Sequence, residues 1–160
     1  MMVIEFAFYH QFVEVKMEIY DGNLDANEIT SRWYSDNKLK NYGAIMSFVG
    51  VVRDENGISG LSFDLYEPIL KAWFNKWQER AKSQNAIILM AHSRGDVAVH
   101  ESSFIAGVCS PQRKVALKLI NEFVEDFKAN APIWKYDLIG QKRVYALERS
   151  QKLQNAGILA

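Results

Sequence analysis

Pro132 is the residue that most constrains how this chain can fold. Ahead of it runs a helical pattern in which Ala116, Ile120, Phe123 and Phe127 recur on one face, with Leu119 and Val124 beside them. Proline has no amide N–H to give a helix and disfavours helical backbone in the residue before it, so the helix must stop here. Beyond the break, Ile133, Trp134 and Tyr136 have the β-branched and aromatic character of a short strand. Lys128 is therefore expected at a helix end and Lys135 on an extended segment seven residues later. A turn between them can bring both ammonium groups into one pocket.

The rest of the chain supplies the surroundings of that turn. Residues 13–19 alternate strictly, Val13, Val15, Met17 and Ile19 against Glu14, Lys16 and Glu18, which is the period of a half-buried strand. Asp21-Gly22-Asn23 ends it with turn chemistry. Asp25 with Glu28 three residues on is a capping-box variant, and Ile29 and Trp33 form the apolar pair of the short helix that follows. Gly43 to Arg53 is apolar enough for a strand buried on both faces over much of its length. A hairpin is expected across Asp54-Glu55-Asn56-Gly57 into a strand carrying Leu61, Phe63 and Leu65.

Pro68 suits the first position of a second helix, with Ile69, Trp73, Trp77 and Ala81 as its core face. Ala86 to His92 and Val97 to Val108 are two further strands, joined by a tight Ser93-Arg94-Gly95-Asp96 turn. Ser110 and Pro111 fit the N-cap and first position of the last long helix. Arg143 to Glu148 is the final strand, and the tail from Gln151 to Ala160 is expected to be loosely held. The order β-α-β-β-α-β-β-α-β-β, with hairpin-like neighbours, gives an α+β fold with mostly antiparallel sheet, in one domain over residues 1–150.

Charge and cysteine usage narrow the function classes. Nineteen basic residues balance nineteen acidic ones, so no global field draws in nucleic acid or an anionic membrane, and anion binding must come from local clustering. The single cysteine, Cys109, rules out an internal disulfide framework or a multi-cysteine metal site and is read as a buried small hydrophobe. His10, His92 and His100 lack ligand spacing for zinc, and there is no P-loop, Gly-x-Ser-x-Gly elbow or Gly-x-Gly-x-x-Gly fingerprint. The amino terminus has no basic n-region, and no stretch approaches the ~18 apolar residues of a membrane span, so a cytoplasmic protein is expected.

Four cations stand out by position: Arg53 at a strand end, Arg113 beside Gln112 in a helix first turn, Lys128 and Lys135. In a helix first turn, free backbone N–H groups and the helix dipole favour an anion. If the four converge, they form a phosphate-sized pocket, with arginine suited to bidentate contact and lysine to a point charge. Burial among neighbouring cations would lower a lysine's pKa from about 10.4 and free neutral amine for proton transfer or covalent chemistry. The plain alternative is four unrelated surface cations. His92 fits a hydrogen-bonded structural role and a site role equally, Phe48 is read as core, and Glu101 as structural.

The Lys-x6-Lys pair closing on Ala-Pro-Ile-Trp-Lys resembles the signature of the molybdopterin synthase catalytic subunit family. So do Gly43-Ala44, Phe48 to Arg53, Leu65-Tyr66-Glu67, His92-Ser93-Arg94-Gly95, Glu101 and Arg113, in the family's order. The resemblance implies an α/β hammerhead-like fold with a small extra β subdomain. It implies an enzyme that converts cyclic pyranopterin monophosphate into molybdopterin, installing two sulfurs as a dithiolene. The sulfur comes from a thiocarboxylate on the Gly-Gly tail of a small ubiquitin-like carrier subunit, with no metal or organic cofactor of the large subunit's own. The implied assembly is a homodimer of this chain with a carrier at each end, a heterotetramer overall.

Carried onto this sequence, the resemblance gives Lys128 the reacting carbon and carrier terminus, and Lys135 proton transfer and charge stabilisation. Arg53 and Arg113 would hold phosphate and pterin-side anions. Phe48 would lie near the carrier's tail, and Asp137 stands where a glutamate is common. Gln112 replaces the family's histidine and can hydrogen-bond phosphate without carrying charge. The family's arginine offered across the dimer interface matches either Arg143 or Arg149. Two other readings compete: a non-catalytic scaffold or regulatory paralogue that binds the carrier, and a generic phosphate-binding protein without a protein partner.

Overall fold

The computed structural model describes residues 16–146. Among them the ten elements follow the expected order: β1 (Met17–Asp21), α1 (Ala26–Asn37), β2 (Ala44–Val51), β3 (Gly60–Leu65), α2 (Glu67–Lys82), β4 (Ile87–Ala98), β5 (Ser102–Ser110), α3 (Arg113–Asn130), β6 (Ile133–Ile139) and β7 (Lys142–Tyr145). The strands line up as β2-β5-β4-β3-β6-β7, with β1 also on β4. Only the β1–β4 pairing among these is parallel, so the fold is α+β with mostly antiparallel sheet.

β4 holds the two parts of the sheet together. Its first half lies between β5 and β1, and Gly95 to Ala98 in its second half pair with β3. β3, β6 and β7 thus form a smaller antiparallel sheet growing from the end of the larger one. Strand alternation then sorts the core. Ile88 and Met90 face the α2 and α3 side with Leu70, Phe74, Ala116 and Phe123, while Leu89 and Ala91 face α1 with Ile29 and Trp33. Burying each such large side chain is worth about 1.5–3 kcal/mol, so the sheet is pinned from both faces.

Local signals that need no distant partner hold closely. The Asp25 side chain accepts from the Glu28 amide at 3.0 Å and caps α1, Pro68 sits in the first turn of α2, and Cys109 is buried. Elsewhere tertiary pairing overrides the local reading. β2 is a sheet edge rather than a doubly buried strand, leaving Phe48, Val49 and Val51 exposed. It makes no hairpin with β3; although Asn56 and Gly57 take the positive φ of an Asn-Gly turn, β2 pairs with β5 and β3 with β4 and β6. The buried face of α2 is Leu70, Phe74, Trp77 and Ala81, with Ile69 exposed.

β4 runs straight through Ser93-Arg94-Gly95-Asp96, with Gly95 at φ +81°, and the reversal comes at Val99–Glu101, where His100 has φ +69°. α3 begins two residues later than expected, with Gln112 at the N-cap position and the Ser110 hydroxyl accepting from the Gln112 amide at 3.3 Å. The strand expected over residues 13–19 is described from Met17, and that expected from Arg143 ends at Tyr145. Arg149 and the tail 151–160 lie outside the described residues.

Candidate active site

α3 ends as Pro132 requires. Ala131, at the C-cap, turns extended at ψ 134° while its N–H still bonds Phe127 O at 3.2 Å, and β6 starts two residues on. This leaves Lys128 in the last turn of α3. It places Lys135 on β6 opposite Phe63 of β3. The two lysines line one cavity of about 240 Å³ together with Arg53, Glu55 and His92. Its apolar wall includes Phe63, Phe104 and Phe127.

The wall sets the electrostatics. Burial lowers the pKa of Lys128, whose ammonium lies 5.7 Å from the Phe104 ring centroid and 5.8 Å from that of Phe127. His92 is buried at the middle of β4, and its pKa is pushed down to about 4, chiefly by burial and further by the charges of Lys128 and Lys135. Its Nδ1 lies 2.7 Å from the Ser93 carbonyl, which can only accept, so the proton is on Nδ1. Arg53 pairs with Glu55 at 3.0 Å and keeps 79% of its side chain exposed, which marks the solvent-facing mouth. Two amines and a guanidinium against an aromatic wall form a site for an anion whose charge the partly dry surroundings would not screen.

Not every residue singled out from sequence converges there. Arg113 and Gln112 are exposed at the far end of α3; Arg113 lies fifteen residues from Lys128, about 22 Å at the helical rise. Phe48 is not core: it is 37% exposed on β2, with its ring centroid 6.0 Å from Phe104, so it extends the aromatic wall outward. Asp137 shares the strand face of Lys135 but does not line the cavity. Arg143 stacks 3.9 Å from the Tyr136 ring and bonds Asp64 at 2.8 Å, away from the cavity. Glu101 is an exposed turn residue whose carbonyl accepts from the Val52 amide at 2.9 Å.

Sequence reasoning left His92 undecided and did not single out Phe63, Phe104 or Glu55. Period-two alternation on β5 could have aligned Phe104 with the buried Ala106 and Val108. Nothing local shows that this face meets the end of α3, because the contact joins elements far apart in sequence. Among the described residues no group of three or more His, Cys, Asp or Glu side chains could hold a metal ion. No described helix is long and apolar enough to cross a membrane.

This arrangement has relatives. The molybdopterin synthase catalytic subunit of Helicobacter pylori strain 26695 is 50% identical over 144 residues, covering 90% of this chain and 99% of the relative. That of Dictyostelium discoideum is 29% identical over 135 residues, covering 78% of each chain. Among solved structures, the complex of subunits 1 and 2 of the molybdopterin-converting factor from Helicobacter pylori 26695 contains a chain that superposes with a TM-score of 0.84 at 50% identity. That match covers 90% of this chain and 99% of the other. The Staphylococcus aureus molybdopterin synthase shares the fold, with a TM-score of 0.70 at 20% identity over 81% of this chain and 96% of the other. A family model described as MoaE protein matches residues 19–130. With that match spanning well over half its length, the chain belongs to the MoaE protein family.

Proposed function

We infer that this chain is the catalytic subunit of a molybdopterin synthase, a cytoplasmic sulfurtransferase. In this reading it takes sulfur from the thiocarboxylated Gly-Gly terminus of a small ubiquitin-like carrier and builds the dithiolene on cyclic pyranopterin monophosphate. The observation that carries the reading is the single cavity holding Lys128, Lys135 and Arg53. Lys128, its amine made easier to deprotonate by burial, acts at the reacting carbon and the carrier terminus. Lys135 donates protons and stabilises charge as the cyclic phosphate opens, and Arg53 at the mouth holds the phosphate. The chain's part is mainly to position the reactants and stabilise developing charge.

The solved Helicobacter pylori complex of converting-factor subunits 1 and 2 supports a partner subunit; the homodimer of this chain, and the heterotetramer built on it, belong to the same reading. The dimer also gives Arg113 and Gln112 a use. About 22 Å along α3 from Lys128, they are out of reach of their own cavity. They would serve the cavity of a second copy, with Arg113 as the charge and Gln112 as a neutral hydrogen-bond donor. Phe48, exposed beside the cavity wall, is the contact for the carrier's tail.

The test mixes the purified chain with thiocarboxylated carrier and cyclic pyranopterin monophosphate, then measures dithiolene product. Product from wild type, with loss in Lys128→Ala and Lys135→Ala, is the expected result. Carrier binding without product would favour the scaffold reading. Equal turnover by both variants would remove the site assignment. Mixing Arg113→Ala with Lys128→Ala chains should restore partial activity, because some dimers regain one intact site.

A further inference from the structure

The aromatic wall of the cavity leaves the Lys128 amine in an unusual place. Phe104 and Phe127 stack with centroids 3.8 Å apart and planes 5° from parallel. The ammonium is nearly equidistant from the two centroids, at 5.7 and 5.8 Å. A charge equidistant from two parallel rings this close sits at the rim of the stack, facing the positive ring edges. The attractive region for a cation is over a ring's face. The stack therefore gives this ammonium little stabilisation.

His92 borders the same stack, with its ring centroid 5.9 Å from Phe104 and 5.5 Å from Phe127, and Phe63 packs edge-on to it at 4.9 Å. Since Nδ1 donates to the Ser93 carbonyl, Nε2 carries a lone pair and can act only as an acceptor. The charged groups lining the cavity with His92 are Lys128 from α3, Lys135 from β6, and Arg53 and Glu55 from the chain after β2.

We propose that His92 is a positioning residue for Lys128: its Nε2 receives an N–H of the lysine and holds the amine toward the cavity. The consequence for turnover rests on the sulfurtransferase reading; the geometry does not. Held near a pKa of 4 by burial and the two ammonium charges, the imidazole stays neutral at physiological pH. A carboxylate in this place would raise the lysine's pKa and cancel the effect of burial. A neutral acceptor orients the amine and still lets it lose its proton readily.

The test is a titration of ε-carbon-labelled lysines by NMR in the purified chain, with Lys128→Arg identifying the Lys128 signal. His92→Phe keeps the aromatic packing and removes the acceptor, and His92→Gln restores an acceptor. Lys128 should titrate lower in His92→Phe than in wild type and return toward wild type in His92→Gln. Identical midpoints in wild type and His92→Phe would overturn the proposal. If the phenylalanine prevents folding, His92→Met carries the same expectation. In the sulfur-transfer assay, His92→Phe should lose at least about tenfold in kcat with little change in KM. If even the wild type made no dithiolene, the sulfurtransferase reading would fail while the titration still decided the role of His92.

Discussion

Trp77 donates its indole N–H to Asp126 at 2.7 Å, tying α2 to α3 through one carboxylate. Trp73 donates to the same oxygen at 3.1 Å, and Asn130 donates to the other at 2.6 Å. The acid thus fixes the end of α3 from which Lys128 projects. Asp126→Ala would leave two partly buried indole N–H groups unpaired and should cost about 2 kcal/mol. Asp126→Asn keeps an acceptor and should cost roughly half as much. Urea denaturation of the two variants checks the order; a loss as large for asparagine as for alanine would mean that charge, and not pairing, is what matters.

Stability should fall in mild acid because of His92. Unfolded, a histidine titrates near 6.5; in the folded chain His92 is pushed down to about 4. Between those values the unfolded chain binds a proton that the folded chain refuses, so protonation favours unfolding. The contribution is complete above the unfolded pKa and is lost as the pH falls toward the folded one, amounting to about 3 kcal/mol. His92→Gln should flatten that decline in denaturation midpoints measured from neutral pH down to about pH 4.5. Parallel declines in the two proteins would trace the acid sensitivity to carboxylates instead.

The legible parts of this fold are those decided by neighbours in sequence. Asp25 and Glu28 announce the start of α1, and Pro132 sets Lys128 and Lys135 on either side of a break, whatever lies around them. What could not be read is which strand lies beside which. β2 looks like a buried strand because its residues are apolar, yet it lies at the sheet edge, paired only with β5 among the described strands. Ser93 to Asp96 has the composition of a turn, yet Ser62 and Phe63 hold Asp96 and Gly95 in a ladder. On α2 the expected stripe begins one residue early; Leu70 and Phe74, in place of Ile69 and Trp73, face the core, while Trp73, at the seam with α3, satisfies its N–H on Asp126. The placing of Arg113 was illegible for the same reason as that of β2: spacing along the chain does not tell which end of a helix meets a cavity of the same chain.

Arg143 provides a negative prediction. Its guanidinium stacks on Tyr136 and pairs with Asp64, and the three sit apart from the cavity. The pair is largely exposed, so its removal should cost less than about 1 kcal/mol. Arg143→Ala should keep sulfur transfer within about twofold of wild type, whereas Lys135→Ala should lose at least about a hundredfold. A large loss in Arg143→Ala would show that this arginine reaches a reaction site in an assembly of several chains.

Gly60 offers a structural lever on the site from outside it. It opens β3 and is flanked by Ala98 of β4 and Leu138 of β6. A Cβ there would stand 2.2 Å from the Val97 carbonyl oxygen, and backbone cannot swing aside as a side-chain tip can. Gly60→Ala must therefore push β3 off β4, at a cost of about 1–3 kcal/mol or more. Because β3 carries β6, and Lys135 lies opposite Phe63, the displacement should also lower turnover in the molecules that fold. Gly57→Ala is the control: Gly57 has φ +70°, and nothing lies within 4 Å of where a Cβ would stand. The alanine there meets only backbone strain, about 1 kcal/mol, in a loop before β3. Denaturation midpoints and turnover per folded molecule separate the two variants, with stability falling in both and specific activity falling only in Gly60→Ala. Equal specific activities would mean that β6 keeps Lys135 in place without support from the β3–β4 ladder.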